Sequence, residues 1–207
     1  MENNSLPLIL LCAGASTRMG FPKGLLPWTG EGNPLLIHQI ERFFEYSLAL
    51  GIQNHIVLVL GYHHERYQEC LLQRKLPGVP LGAPKIHVVR NPDPGRGQFS
   101  SLQEGVKSVG EAPWAFLLPI DCPAPLPEVW ASLWQARDEQ TSVLIPTLKK
   151  KSGHPLLLGK KLLQAVCTAP TETRLDSLIK TWPSREKKYV EVMDAGIHAN
   201  FNTPEEL

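Results

Sequence analysis

The sequence predicts an α/β fold built on a mostly parallel sheet. Short apolar runs typical of buried strands alternate along the chain with segments whose apolar residues recur at helical spacing. This alternation indicates βαβ units, whose right-handed crossovers bring parallel strands side by side. The 207 residues can bury a sizeable core and fit a single domain over 1–207. Ligands of such sheets bind beyond the carboxyl ends of the strands, so we expect functional residues there.

Apolar runs define the predicted strands. The first begins at Leu8 and continues without a polar residue, which is typical of a strand covered on both faces. The later strands are predicted over 56–60, 86–89, 115–118, 143–145, a short stretch at 156–158, and a return strand at 189–192.

Helix signals stand between these runs. Asn33 and Pro34 pair a favoured N-cap with a proline at the first helical position, and the helical pattern then continues to Gly51. Residues 101–104 have the capping-box sequence Ser-Leu-Gln-Glu, which predicts the start of a helix that Gly110 stops. Further helical patterns lie around 67–71, over 127–137 and in two short stretches before residue 182, and 76–84 is predicted to be a surface loop.

Composition excludes several classes of function. Twenty-one Lys and Arg balance 20 Asp and Glu, so the net charge of +1 gives no field that would recruit nucleic acid or an anionic membrane. Four scattered cysteines without a Cys-x-x-Cys pair argue against a disulfide framework or structural zinc, and favour the reduced cytoplasm. No apolar stretch approaches the roughly 20 residues that span a bilayer, so we expect a soluble cytoplasmic protein.

The loop after the first strand carries the strongest chemical signal. Its small residues let backbone N–H groups approach a phosphate, and Arg18 and Lys23 add the two cations commonly used to hold polyphosphate. Neither the P-loop nor the Gly-x-Gly-x-x-Gly pattern is present. The sequence therefore predicts a triphosphate cradle in the segment Ala13-Gly14-Ala15-Ser16-Thr17-Arg18-Met19-Gly20-Phe21-Pro22-Lys23.

This loop, with Leu25-Leu26-Pro27 after it, resembles the signature loop of the MobA-like NTP transferases, the wider family of the molybdenum cofactor nucleotidyltransferases. It is most similar to the cytidylyltransferase branch. The guanylyltransferase branch usually has a second glycine at the position of Ala13 and an acidic residue at that of Pro22. The resemblance implies a three-layer α/β/α sandwich with a Rossmann-like sheet, which the strand and helix pattern supports independently.

The same resemblance implies a Mg²⁺-dependent transfer of CMP from CTP to a phosphate acceptor, molybdopterin, with release of pyrophosphate. Residues 13–16, Arg18 and Lys23 would bind the nucleotide, and the two cations would offset charge on the triphosphate and the leaving group. No general base is needed, because an acceptor phosphate is already ionised at neutral pH.

Two segments resemble the family's metal-binding motifs. Asp121 follows the fourth predicted strand and matches the family's Asp-x-Pro motif, although an Asp in a Pro-rich turn can also cap a backbone N–H. Asn200 and Asn202 stand where the cytidylyltransferase branch usually has acids, as in the guanylyltransferase branch. An amide oxygen ligates Mg²⁺ more weakly than a carboxylate does. The resemblance thus implies Asp121 as a catalytic Mg²⁺ ligand, Asn200 or Asn202 as a second ligand, and GTP as the alternative nucleotide.

The segment 91–102 resembles the cytidylyltransferase pattern that contacts the base and sugar, an Asn and a Gly followed by Ser-Ser-Leu. It implies nucleotide contacts from Asn91, Gly97, Ser100 and Ser101. The alternative is that this segment is a flexible loop followed by a helix cap, and the sequence is compatible with both interpretations. Ser101 is expected to cap the helix, while Gly97 and Ser100 line the nucleotide.

Residues 149–182 break the alternation and are expected to form an acceptor-side insertion or lid. They include Gly153-His154-Pro155, similar to a Gly-His-Pro segment at the acceptor side of molybdopterin cytidylyltransferases. This implies acceptor contacts from Gly153 and His154, although a lone histidine is more often solvated or packed. The adjacent His63 and His64 have no ligand-type partner nearby in sequence and are expected at the surface.

Two alternatives remain open. The acceptor can be a sugar phosphate or a phospho-alcohol, because Gly24, Asn200 and Asn202 depart from the family pattern. In a different class of function, the protein is a non-catalytic carrier that delivers the cofactor to a molybdoenzyme. The presence of Arg18, Lys23 and Asp121 argues against the carrier.

Overall fold

The computed structural model describes residues 5–17, 19–28, 32–49, 53–73 and 86–201. Within these ranges a mostly parallel sheet lies between two layers of helices, which confirms the predicted three-layer α/β/α class. The strands are β1 (Ser5–Cys12), β2 (Pro27–Trp28), β3 (Asn33–Pro34), β4 (Gln53–Leu60), β5 (Ile86–Arg90), β6 (Trp114–Pro119), β7 (Val143–Leu148), β8 (Lys151–Ser152), β9 (Leu156–Gly159) and β10 (Lys187–Glu191).

Eight of the described strands form the main sheet, in the order β10-β7-β9-β6-β1-β4-β5 with β8 paired to β7. The β2–β3 pair forms a separate ribbon. Strands β1, β4, β5 and β6 are parallel, and so are β7 and β10. Because β9 runs antiparallel to both β6 and β7, those two strands point the same way. The carboxyl ends of β1, β4, β6 and β7 therefore lie at one edge of the sheet.

The two helical layers follow from the alternation of apolar residues on β1. Leu8 and Leu10 face one layer, and Ile9 and Leu11 face the other. Each fully buried leucine contributes roughly 1.5–3 kcal/mol through removal of apolar surface from water. The first layer contains α1 (Leu35–Ala49), α2 (His64–Gln73) and α4 (Pro127–Gln135), and the second contains α3 (Gln98–Val109), α5 (Lys160–Thr168) and α6 (Leu175–Thr181).

The predicted start of the first helix is wrong. Asn33 and Pro34 are not its N-cap and first residue, because they pair with Pro27 and Trp28 in the β2–β3 ribbon. Helix α1 begins at Leu35, whose N–H donates to the Leu26 carbonyl at 2.9 Å. Pairing with the nearby residues 27–28 overrides the capping signal, because it extends the backbone at 33–34 into a strand.

The capping box at 101–104 is also wrong. Helix α3 begins at Gln98, with Gly97 at the N-cap in the left-handed region at φ 95°, and no side chain caps it. Ser101 therefore lies inside the helix instead of capping it. Glycine is favoured at this junction because a positive φ strains any residue with a Cβ.

Strand β9 lies in the middle of the sheet, where it fills the space between β6 and β7. It belongs to the segment 149–182, which also supplies α5 and α6 to the second layer. The role of this segment as an acceptor-side lid stays a prediction. The predicted loop at 76–84 lies outside the described residues. None of the described helices is long and apolar enough to cross a membrane.

Candidate active site

A cavity of about 410 Å³ opens at the edge of the sheet where β1, β4 and β6 end. The loops after these strands form its walls together with the first turn of α3. The structure brings together eight predicted site residues along this cavity: Ala13, Gly14, Ala15, Ser16, Lys23, Gly97, Ser101 and Asp121. Arg18 and Asn202 lie outside the described residues.

The loop after β1 is held in shape by Ser16. This residue has a positive φ of 50°, its carbonyl accepts from the Met19 N–H at 3.0 Å, and its Oγ accepts from the Lys23 N–H at 3.2 Å. Gly14 at the rim has open space where a Cβ would lie. The loop therefore curls back so that Lys23 returns to the cavity, with the glycine leaving room for an anion.

The loop after β1 packs against the residues that follow β4. The Tyr62 N–H donates to the Ala13 carbonyl at 3.3 Å, and His63 Nε2 lies 3.2 Å from the Ala15 carbonyl oxygen. His63 is exposed, as predicted, yet it also contacts the loop. At Gly61 an added Cβ would lie 2.7 Å from the Ala13 carbonyl oxygen and 2.8 Å from Pro94. Gly61 therefore lets the chain segments at 13, 61 and 94 meet.

Gly61→Ala is expected to destabilise the protein by about 1–3 kcal/mol, because the new methyl group overlaps backbone that cannot move without shifting the loop. The same shift should raise the KM for the nucleotide. Denaturant unfolding and steady-state kinetics measure the two effects, and Gly14→Ala, where the methyl meets nothing within 4 Å, is the matched control for stability. Equal unfolding free energies for Gly61→Ala and the parent protein would contradict the close packing.

Lys23 and Asp121 form an ion pair inside the cavity. Lys23 Nζ lies 3.2 Å from Asp121 Oδ2, and the two side chains are only 16% and 27% exposed. Partial burial weakens solvent screening, so each charge strongly affects the other. The next residue, Gly24, packs so closely against Tyr67 and Ile120 that a Cβ would lie 2.8 Å from both, and its N–H donates to the Tyr67 hydroxyl at 3.2 Å.

The surroundings of Asp121 bear on its predicted role as a magnesium ligand. The Asp121 backbone carbonyl accepts from the Phe201 N–H at 2.8 Å, so the backbone of the exposed Asn200 adjoins this turn. Among the described residues no group of three or more His, Cys, Asp or Glu is arranged to hold a metal. One carboxylate and one amide oxygen fit Mg²⁺, which keeps several waters and takes other ligands from substrate phosphates.

Buried thiols and a phenol next to the cavity stay protonated. Burial and the nearby Asp121 charge raise the pKa of the Cys12 thiol well above its usual range, and burial raises that of Cys122 to about 12. Burial also raises the pKa of Tyr67. Thiolate is the nucleophilic form of cysteine, so Cys12 and Cys122 are poor nucleophiles at neutral pH. This favours chemistry in which a substrate group attacks directly.

Asn91 lies behind the cavity wall. Its buried amide donates to Ser100 Oγ at 2.8 Å and to Ser101 Oγ at 2.9 Å, and its side-chain oxygen accepts from the Asp93 N–H at 3.0 Å. Ser101 lines the cavity, whereas Ser100 is turned toward Asn91 and does not line it, contrary to expectation. The three side chains thus fix the loop at 91–97 and the start of α3.

The predicted acceptor residues lie beside the cavity and not in its lining. The His154 N–H donates to the Ile197 carbonyl at 2.9 Å, and an added Cβ on Gly153 would lie 2.2 Å from the Ile197 carbonyl oxygen. Burial lowers the pKa of His154, an effect that the Asp121 charge opposes. Its Nδ1 is buried without a hydrogen-bond partner in the described part of the chain. The imidazole of His154 is therefore mostly neutral, and its Nδ1 can accept or donate a further hydrogen bond near Asp121.

The lining residues that sequence reasoning did not assign to the site include Tyr62, Tyr67 and Gln98. Tyr62 directly follows Gly61 at the end of β4, so the rule that ligands bind at the carboxyl ends of strands could have found it. Gln98 lies in the segment 91–102 that resembles the nucleotide-contacting pattern, but it is not one of the pattern's named residues. Tyr67 gave no signal, because it occupies a position in a helix that sequence alone assigns to packing.

A parallel-sheet edge with a small-residue loop, a lysine and an aspartate in one cavity suits a nucleotidyltransferase, the class to which the family match assigns the chain. The family model of the MobA-like NTP transferase domain matches residues 8–189, and the chain belongs to that family. The molybdenum cofactor cytidylyltransferase of Escherichia coli is 26% identical over 208 residues, which cover 99% of this chain and 94% of that protein.

Solved structures share the fold. A Mycobacterium tuberculosis protein, 18% identical, superposes with a TM-score of 0.74 over 100% of this chain and 96% of its own. A nucleotidyl transferase from Methanothermobacter, 19% identical, gives 0.72 over 97% and 93%. A manganese complex of the Mycobacterium tuberculosis protein, 17% identical in that comparison, gives 0.62 over 91% and 88%. Divalent metal binding thus occurs on this fold.

Proposed function

We propose that this protein transfers CMP from CTP to the terminal phosphate of molybdopterin and releases pyrophosphate. The observation that carries the proposal is the convergence of the loop at 13–17, Lys23 and Asp121 on one cavity at the carboxyl edge of the sheet. This arrangement provides a phosphate cradle, a cation for the triphosphate and a carboxylate for a metal. Similarity to the Escherichia coli cytidylyltransferase supports the choice of CTP and molybdopterin.

The nucleotide would lie across the carboxyl ends of β1 and β6. Backbone N–H groups of the loop at 13–17 hold the phosphates, and Lys23 leaves its ion pair with Asp121 to face them. Gly97, Gln98 and Ser101 form the wall available to the base and sugar. Ala13 occupies the position where guanylyltransferases usually have glycine, and this resemblance supports CTP over GTP. Its methyl group packs against Gly61.

The reaction is an in-line displacement at the α-phosphorus. An oxygen of the acceptor phosphate forms a bond to that phosphorus, and the bond to the pyrophosphate oxygen breaks. The acceptor phosphate is already ionised, so the protein needs no general base and contributes positioning and charge stabilisation. Lys23 offsets the negative charge that develops on the leaving pyrophosphate, and Arg18 has the same proposed role.

Asp121 would hold the metal, with Asn200 or Asn202 as a second oxygen donor. When bound, Mg²⁺ neutralises phosphate charge and fixes the geometry of the triphosphate. The ion pair with Lys23 keeps the Asp121 carboxylate at the cavity in the free protein. The carboxylate becomes available to the metal once the lysine turns to the phosphates.

The acceptor side is positively charged. The turn between β7 and β8 lies at the same edge as Asp121 and carries Lys149 and Lys150, and β8 begins with Lys151. None of the ion pairs among the described residues involves these lysines. Lys149 and Lys150 have positive φ values of 52° and 65°, a conformation that usually selects Asn or Gly. Glu191 holds this turn by accepting from the Lys149 N–H at 3.0 Å. The presence of lysines at these two strained positions supports an anionic acceptor. His154 lies nearby and would contact the acceptor as a neutral side chain.

The test is pyrophosphate release with CTP, GTP, ATP or UTP in the presence of Mg²⁺ and molybdopterin. We expect turnover with CTP at least about tenfold faster than with the other nucleotides, which corresponds to about 1.4 kcal/mol of discrimination. A GTP preference would mean that Asn200 and Asn202 predict the nucleotide better than the first loop does. Nucleotide binding without turnover, or turnover only with a sugar phosphate or phospho-alcohol, would overturn the proposed acceptor.

A further inference from the structure

Gln39 on α1 is buried directly beneath the turn that carries Asp121. Its Nε2 donates to the Cys122 carbonyl at 2.6 Å and lies 3.5 Å from the Ile120 carbonyl oxygen. Its Oε1 accepts from the Ala124 N–H at 2.5 Å. The side chain of one glutamine thus binds backbone groups before and after Asp121, and it has no exposed surface.

The position of Gln39 on the helix makes this contact unusual. The neighbouring Leu36 and Ile40 face the same apolar layer, and a residue needed only for packing there would be apolar too. Burial of an amide is unfavourable unless its donors and acceptor are bound. Here the Nε2 group and the Oε1 atom both form hydrogen bonds, and every partner is a backbone group of the turn around Asp121.

Phe201 holds the turn from a second direction, because its N–H donates to the Asp121 carbonyl at 2.8 Å. Gln39 and Phe201 therefore fix the backbone around Asp121 from two sides, while Lys23 contacts the carboxylate itself. The direction of the carboxylate depends on this backbone, because a short aspartate side chain has few rotamers with which to compensate.

We propose that Gln39 is a positioning residue that aims the Asp121 carboxylate at the metal and triphosphate. The proposal rests on the proposed function of Asp121 as the metal ligand. Groups that orient a metal ligand commonly change metal affinity about 10–100-fold when they are removed. Gln39 should act in this way through the backbone of the turn, without touching the metal or either substrate.

The experiment is a titration of Mn²⁺ into the full-length protein with saturating CTP, followed by electron paramagnetic resonance. In Gln39→Met, which keeps the length and volume of the side chain, we expect Mn²⁺ affinity to fall at least about tenfold. CTP affinity measured without metal should stay within about twofold, because the phosphate cradle is not part of this turn. A general loss of structure would lower both affinities together.

Two further variants complete the test. Ile40→Val removes a methyl group from the adjacent buried residue and should leave Mn²⁺ affinity unchanged. Gln39→Glu should recover Mn²⁺ affinity, measured relative to the parent protein at the same pH, as the pH falls, because the protonated carboxyl can again donate to the Cys122 carbonyl and accept from the Ala124 N–H. Should Gln39→Met fail to fold, the pH dependence of Mn²⁺ affinity in Gln39→Glu alone tests the positioning role.

The outcomes separate the two proposals. Parent-like Mn²⁺ affinity in Gln39→Met, or a Gln39→Glu profile that matches the parent at every pH, overturns the positioning role. If the parent protein with CTP binds no Mn²⁺, the proposed metal site at Asp121 fails, and the positioning role fails with it. Weak Mn²⁺ binding by Gln39→Met beside tight binding by Ile40→Val supports both.

Discussion

Asp121→Asn is expected to lower kcat/KM for pyrophosphate release at least about a hundredfold, the range seen when a preorganised charge-stabilising group is lost. The amide keeps the size of the carboxylate but removes its charge, so it ligates Mg²⁺ weakly and no longer attracts Lys23 across 3.2 Å. Steady-state kinetics with CTP, molybdopterin and a range of Mg²⁺ concentrations measure the loss. We also expect the variant to need more Mg²⁺ for half-maximal rate.

Asp176→Asn serves as the control for this variant. Asp176 lies on α6, where it pairs with Arg174 in a surface contact, and such contacts have little effect on stability or activity. Activity of Asp121→Asn within a few-fold of the parent protein would place the metal elsewhere. A variant that loses turnover but still binds molybdopterin and hands it to a molybdoenzyme would favour the carrier hypothesis.

The sequence predicted which residues meet at the carboxyl edge of the sheet, because that position follows from topology. Ala13, Gly97 and Asp121 were each predicted just beyond a strand, and the structure brings all three to one cavity. Parallel strands require this result, since their carboxyl ends meet at the same edge. The apolar runs also predicted the strands themselves, with ends that differ by a few residues.

The sequence could not predict contacts that depend on distant partners. Gln39 is a polar residue in a helical pattern, and nothing local shows that it binds a turn more than 80 residues away. Ser101 has a good local capping signal, yet its Oγ accepts from the Asn91 amide and the helix begins earlier, at Gln98. In each case a long-range hydrogen bond outweighs a local preference.

Strand β9 shows the same limit for topology. The apolar run at 156–158 predicted a strand, but its length and composition carry no information about its direction or its neighbours. Its antiparallel place between β6 and β7 depends on the tight turn at Lys149–Lys150 and on the packing of Gly153 against Ile197. As a result the segment before it returns to the sheet edge, with His154 near Asp121.

Lys23→Met is expected to reduce kcat/KM by about 10²–10³, because an ammonium group facing the triphosphate acts most strongly on the charge of the transition state. The side chain keeps its length, and the Lys23 backbone N–H still donates to Ser16 Oγ, so the loop should keep its shape. Stability should also fall, by about 1–3 kcal/mol, because the largely buried Asp121 carboxylate loses its charged partner.

Two measurements separate the catalytic role of Lys23 from a structural one. Kinetics of pyrophosphate release should show the loss, and competition by added pyrophosphate should weaken, because the product loses the same cation that stabilises its departure. Lys107→Met removes an exposed lysine that pairs only with Glu104 on α3, and it should leave both measurements unchanged. Activity of Lys23→Met within a few-fold of the parent protein, or unchanged competition by pyrophosphate, would contradict a direct role.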